Sequence, residues 1–464
     1  MNFKEGGILD ATDDKEMIKD KPFFKLLGTL AIPIMIQNLI SSSLNMIDTL
    51  MIGRLGEGEI AAVGLANQIF LLIMVGLTGI CAGAGVFISQ YWGKKDIPNI
   101  KRMLGLALMI GTVYALVINL VVLCIPTQII GFFNKEARIL ELGTSYLTIV
   151  SYSYIFTAIT FAYSYALRCI GRTKLPMVAS AVAVLINIVL NSIFIFGLGI
   201  VEPMGVAGAA LATLIARIAE TLCVVGGVYI KKYELAGKLK ELIPVPKHLV
   251  MKAAGPMLAI TANELCWGLG AIIYTKAYGF IGSEAVTSIQ IVSTITNFFL
   301  VVIFAIAAAV LTIIGNAIGE GKVEKAKLYA KRIIILSIVL AVFISLGIIL
   351  LAPFIVSCFN VTPSVGKVTL NLLLINAAII IPRVYNIVMI LGVFRGGGDT
   401  KGSLILEGCT MWGIGVPLSF LGVYVFHLRL EFVVMMLMME EVVKAILCVW
   451  RFRSYKWIHN MVEK

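Results

Sequence analysis

Charge is what this sequence has least of. Only 14% of its 464 residues are Asp, Glu, Lys or Arg, against roughly 25% in an ordinary soluble domain. A water-facing surface over the whole molecule is therefore excluded. Histidine is nearly absent, with three scattered copies (His248, His427, His459), so no imidazole cluster can hold a metal. The eight cysteines lie in or beside apolar runs and form no CxxC pair. They read as small buried hydrophobes rather than as a disulfide or zinc framework. The N-terminus lacks the basic stretch, apolar core and small-residue cleavage site of a secretory signal. FRGGGDTK (393–401 with its leading Val) is followed by no lysine-serine/threonine pair, so its glycines are not a nucleotide phosphate loop. Repeated aspartate motifs are also missing, which removes the usual signature of a metal-dependent membrane enzyme.

What is present is apolar. Hydrophobic residues make up 59% of the chain and the mean hydropathy is +0.98. A membrane-spanning helix needs roughly 20 mainly apolar residues, and such runs recur along nearly the whole length. They predict an all-α integral membrane protein with twelve transmembrane helices. The expected spans are 27–53, 59–89, 103–126, 139–166, 175–200, 205–230, 250–278, 285–318, 330–357, 367–394, 402–426 and 430–450.

The net charge of +12 is explained by topology. With the N-terminus inside, 29 of the 38 cations fall in inner segments and five in outer loops (Arg54, Lys135, Arg138, Lys367, Arg429). That asymmetry is the positive-inside rule. It places both termini in the cytoplasm of a multi-pass cell-membrane protein, and it leaves no basic patch calling for a nucleic-acid partner.

The chain also repeats itself. A shift of 226 residues lays Gly56 on Gly282 and Gly93 on Gly319; a shift of 227 lays Pro126 on Pro353 and LRCIGRTK (167–174) on FRGGGDTK (394–401). The expected organisation is a tail (1–24), a six-helix bundle (25–230), a polar linker (231–249), a second six-helix bundle (250–452) and a closing tail (453–464). Six spans per half put both pseudo-symmetric bundles in the same orientation, around a central cleft.

Several separated stretches carry a resemblance: NMIDTLMIGRLGEGEIAAVGLANQ (45–68), SQYWGKKD (89–96), ALRCIGRTKLP (166–176), INIVLNSIFIFG (186–197), GVAGAALAT (205–213) and VFRGGGDTK (393–401). The sequence resembles the multidrug and toxic compound extrusion (MATE) family over about residues 25–455. The resemblance implies a transporter rather than an enzyme, exporting organic, often cationic, compounds in exchange for a proton or sodium ion. The nearest rival is a lipid or polysaccharide-precursor flippase of the same wider superfamily, which would line its cleft with cations.

A carboxylate inside a membrane costs about 2.5–3.5 kcal/mol on insertion scales and is a functional candidate by default. Most acids here have a nearby cation: Glu220 has Arg217, Glu440 and Glu441 have Lys444, and Glu407 has Lys401. Asp48 and Glu264 do not. Asp48 is either an interfacial acid within reach of Arg54 or a cation site. Asn187 and Asn191, four apart and so on one helical face, and Thr213 on the next span would supply further oxygens for sodium. Their alternative role is interhelical hydrogen bonding. In the resemblance they match a polar cluster around the first-helix aspartate, although Asn191 stands where many members carry a second aspartate. Glu264, in mid-span, is either a neutral acid bonded to a neighbouring helix or a cation- or proton-coupling residue; in the resemblance it matches the family's seventh-helix glutamate, which is linked to cation coupling. PRVYNIVMILGVFRG (382–396) has no acid where some relatives carry one.

Gln37, Asn67, Gln68, Tyr274, Gln290 and Asn297 are candidate substrate contacts. Arg168 and Arg395 are expected to anchor helix ends or lipid headgroups. No cofactor is expected beyond the coupling ion. The expected partners are small organic molecules and membrane lipids, and the expected state is a monomer.

Overall fold

The computed structural model describes residues 21–197, 202–357 and 362–463; Cys358 and the expected tail up to residue 20 lie outside them. The first half contains α1 (Lys21–Gly53), α2 (Glu57–Lys94), α3 (Ile97–Cys124), the short α4 (Pro126–Phe133), α5 (Ala137–Ser151), α6 (Ser153–Cys169), α7 (Lys174–Phe196) and α8 (Gly205–Ile230). One turn, α9 (Leu239–Leu242), interrupts the linker. The second half contains α10 (Lys247–Ile281), α11 (Ser283–Gly319), α12 (Val323–Ser357), α13 (Pro363–Ile387), α14 (Thr400–Thr410), α15 (Val416–Phe420) and α16 (Leu430–Arg453). No strand occurs among the described residues.

These helices make twelve crossings. Ten are long and apolar enough to span a membrane by themselves. An eleventh is broken: α5 and α6 meet at a 45° bend around Tyr152. The twelfth, α16, carries Glu440, Glu441 and Lys444 in its middle. At 24 residues it still reaches about 36 Å at 1.5 Å per residue. Two crossings depart from regular α geometry. α13 continues as a π-helix over Val388–Phe394, and α14 and α15 are joined and followed by π-helical turns at Met411–Gly415 and Leu421–Val425. Such turns recur at functional sites, and no sequence pattern announced them.

The two halves meet at the end of the molecule that bears the described chain ends. Gly93 of α2 sits against the Asn316 carbonyl of α11, and Gly319 of α11 against the Gln90 carbonyl of α2. A side chain at either glycine would run into the opposing backbone. The repeat-matched glycines therefore form a reciprocal helix crossing, as expected for a pseudo-two-fold axis between them. Phe23, Leu27, Leu30 and Ala31 of α1 join one buried cluster with Ile303, Ile306 and Val310 of α11, which extends the junction along the same end.

The closing segment is not a free tail. Trp457 is fully buried. The His459 backbone donates to Gly397 O (2.7 Å). Gln90 donates to His459 O (3.1 Å) and accepts from the Met461 backbone (2.7 Å). Lys94 and Lys252 donate to Val462 O (3.4 Å) and Glu463 O (3.0 Å). Residues 457–463 thus strap both halves together. The linker is docked too, with Leu235 and Leu242 buried. Its Glu241 pairs with Lys101 at 2.7 Å, a hydrogen bond that holds the carboxyl below its usual range.

Candidate cation and substrate sites

In the first half, α1, α7 and α8 bring four of the expected residues into one hydrogen-bonded chain. Asn191 Nδ2 donates to Asp48 Oδ1 (2.6 Å) and to Asn187 Oδ1 (2.9 Å), and Asn187 Nδ2 donates to Thr213 Oγ1 (3.4 Å). The asparagines are buried at 1% exposure, one turn apart on α7, which is why a single helical face serves both. Asp48 is half-buried, and its carboxylate receives its hydrogen bond from Asn191 rather than from Arg54. Asn191 Oδ1 is buried and has no hydrogen-bond partner among the described residues. A carboxylate, two amide oxygens and a hydroxyl form an all-oxygen set, the donor chemistry that a hard monovalent cation requires.

A second network in this half reassigns Gln37. Arg168 donates to its Oε1 (2.7 Å), and its Nε2 donates to Ser180 (2.9 Å). Ser180 donates in turn to Glu220 (2.7 Å), which pairs with Arg217 (2.8 Å). Gln37 is buried and its amide is engaged at both ends, so it braces α1 against its neighbours instead of facing a ligand. Asn67 and Gln68 are exposed on α2, and Gln290 is exposed on α11. None of the three lines the cavity in the second half that holds Tyr274 and Asn297.

Glu264 is not unpaired. Arg395 lies 2.9 Å from its Oε1 and also donates to Asn263 Oδ1. The partner comes from 131 residues away, so no inspection of a few turns around Glu264 could find it. Arg395 is 4% exposed, which corrects its expected role as a lipid-headgroup anchor. Arg168 likewise turns inward, to Gln37 and over the Tyr165 ring.

The second half encloses a cavity of about 570 Å³. Tyr274 and Asn297, both expected contacts, line it with Trp267 and Phe304. So do four carboxyl groups (Glu264, Glu407, Glu440, Glu441) and two basic groups (Arg383, Lys444). Lys444 Nζ bonds Glu407 (2.8 Å) and Glu440 (2.9 Å). Tyr274 donates to Glu440 Oε2 (2.5 Å). Arg383 and Asn386 donate to Glu441 at 3.1 and 2.9 Å. Spacing along the chain set Glu440 and Glu441 aside, because Lys444 stands four and three residues away on the same helix. It also tied Glu407 to the wrong lysine. The available signal was depth: Arg383, Glu440, Glu441 and Lys444 all fall within spans, where a solvated pair cannot exist. Among the described residues no group of three or more metal-ligating His, Cys, Asp or Glu side chains occurs.

Two like-oriented bundles of six crossings, each with its own buried polar site, define a multi-pass membrane transporter built by duplication. The family model for MatE matches residues 33–193 and 259–421, two blocks that begin 226 residues apart; the chain belongs to the MATE family. It is 27% identical over 446 residues to the uncharacterized transporter YisQ of Bacillus subtilis, covering 95% of this chain and 96% of that one. It is 25% identical to the probable multidrug resistance protein NorM of Thermotoga maritima, with 93% of each chain covered. Among solved structures, the Vibrio cholerae MATE transporter VcmN in its bent form superposes with a TM-score of 0.85 at 19% identity, over 94% of this chain and 99% of that one. A transporter of the MOP superfamily from Pyrococcus furiosus gives 0.82 at 23% identity, over 97% and 100%. At these identities the structures establish the fold.

Proposed function

We propose that this protein exports organic cations from the cytoplasm by alternating access, in exchange for an inward-moving proton or sodium ion. The observation that carries the reading is the hydrogen-bonded chain from Asp48 through Asn191 and Asn187 to Thr213. It offers oxygen ligands and one ionisable carboxylate on three helices of one bundle. A cation entering there changes the charge and bonding of α1 relative to α7 and α8. Coupling requires only that it bind one conformation more tightly than the other. The helix crossing at Gly93 and Gly319 then acts as the closed gate on the cytoplasmic face. The names of the relatives agree with this reading: NorM of T. maritima is a probable multidrug resistance protein. MepA of Staphylococcus aureus, a multidrug export protein, is 30% identical over 203 residues, covering 43% of this chain and 44% of that one.

The cavity of the second half supports a cationic cargo. Aromatic faces and an excess of carboxyl over basic groups suit flat, positively charged molecules. A flippase for phosphorylated lipids would need basic groups free to meet phosphate, and here both Arg383 and Lys444 are held by carboxylates. The test is export of a fluorescent organic cation from reconstituted vesicles under an imposed sodium or proton gradient, with scrambling of a labelled lipid measured in parallel. Gradient-driven export without scrambling is expected. Scrambling without export would replace this reading with the flippase.

A further inference from the structure

Asn386 presents a buried acceptor with nothing to accept. It is 2% exposed and lines the cavity of the second half. Its Nδ2 is fixed, donating to the Glu441 carbonyl and to Glu441 Oε2, both at 2.9 Å. That orients the amide unambiguously, and its Oδ1 accepts no hydrogen bond among the described residues. A buried carbonyl oxygen left in this condition is costly.

Glu407, on α14, repeats the pattern across the network. Its Oε1 accepts from Lys444, and no hydrogen bond from the described residues reaches its Oε2. The remaining carboxylate oxygens nearby are occupied. Glu440 is held by Lys444 and Tyr274, and Glu441 by Arg383 and Asn386. One end of the cavity wall therefore holds two acceptors without a donor, Asn386 Oδ1 buried within the wall and Glu407 Oε2, while Trp267 and Phe304 offer ring faces elsewhere.

We propose that this end of the cavity binds organic cations through their N–H groups, with Asn386 Oδ1 and Glu407 Oε2 as the accepting atoms. The ligand class is protonated amines and amidines carried on a flat apolar body. Quaternary and phosphonium cations have no N–H to offer, so they bind by charge and apolar contact alone. Lys444 and Arg383 set the selectivity. By balancing two of the three neighbouring carboxylates, they leave one negative charge, which matches a single cationic centre. The proposal deepens the organic-cation reading above and rests on it.

The experiment uses two probes on the full-length protein: an aromatic bis-amidine, and tetraphenylphosphonium, which lacks any N–H. Binding is measured by calorimetry in detergent and export in vesicles, for wild type and Asn386→Leu. Loss of one hydrogen bond from a charged donor predicts about a tenfold weaker amidine Kd, with tetraphenylphosphonium within about twofold of wild type. Asn386→Ala, which removes the same acceptor without adding bulk or changing the site's charge, provides the same comparison should Asn386→Leu fail to fold. Equal loss for both probes, or no loss for either, overturns the assignment and leaves the transport reading intact. Failure of wild type to bind or export either probe overturns both together.

Discussion

Arg395 reaches Asn263 and Glu264 on α10, and Arg168 reaches Gln37 on α1. The internal repeat lays Arg168 on Arg395 and Gln37 on Asn263. The same arginine-to-amide bond therefore recurs in both halves, so the duplication is preserved in side-chain contacts as well as in helix order. Glu264 is the addition: its counterpart in the first half is Asn38, which carries no charge. One half holds its acid against a buried arginine, and the other holds Asp48 against neutral amides.

That difference has an energetic consequence. Removing the charge at Glu264 leaves Arg395, at 4% exposure, without a counter-charge. Breaking a buried pair from one side costs about 3 kcal/mol or more. Glu264→Gln should lower the thermal stability of the detergent-solubilised protein markedly. Glu264→Leu combined with Arg395→Met should recover most of the loss. A double variant as unstable as the sum of its singles would show that the two residues act independently.

The crossing of α2 and α11 makes a sharper steric prediction. Gly319→Ala places a methyl group against the Gln90 carbonyl, and overpacking of this kind costs about 1–3 kcal/mol. Gly226→Ala, with nothing within 4 Å of the added carbon, should be neutral or slightly stabilising. Thermal unfolding of the two variants side by side checks the contact.

The strap at the chain's end should behave as part of the core. Trp457 is fully buried and stacks on Phe452 at 5.7 Å. Trp457→Ala is expected to cost about 3–5 kcal/mol, the range for large aromatic truncations. Tyr455, 46% exposed, should tolerate alanine with little change. Apparent Tm values distinguish the two outcomes, and an equally mild effect at Trp457 would argue against docking of the segment.

Much of this architecture is legible in the sequence because membrane helices announce themselves by length and hydropathy. The offset of 226 residues is visible in glycines that the fold then places at one crossing. Asp48, Asn187, Asn191 and Thr213 could be grouped because each lies in a span without a local cation or on a shared helical face. The second half resisted the same reasoning. Glu264 and Arg395 are partners across 131 residues, and Glu440, Glu441 and Lys444 imitate a solvated helix pair. Charge neutrality inside a bundle is settled between helices, whereas sequence spacing reports only what happens along one. The closing segment is a related case: it follows the last apolar run and so read as a tail, while its backbone bonds Gln90 and Gly397.

The proposed coupling of ion entry to export runs through the Asp48 carboxylate, and Asp48→Asn probes that group alone. The substitution keeps the size of the side chain and removes its charge. Export of an organic cation is measured in vesicles under imposed sodium and proton gradients, together with equilibrium binding of the same cation. The variant is expected to keep binding the cation and to lose acceleration by whichever gradient drives the wild type. Undiminished gradient-driven export by Asp48→Asn would remove Asp48 from the coupling.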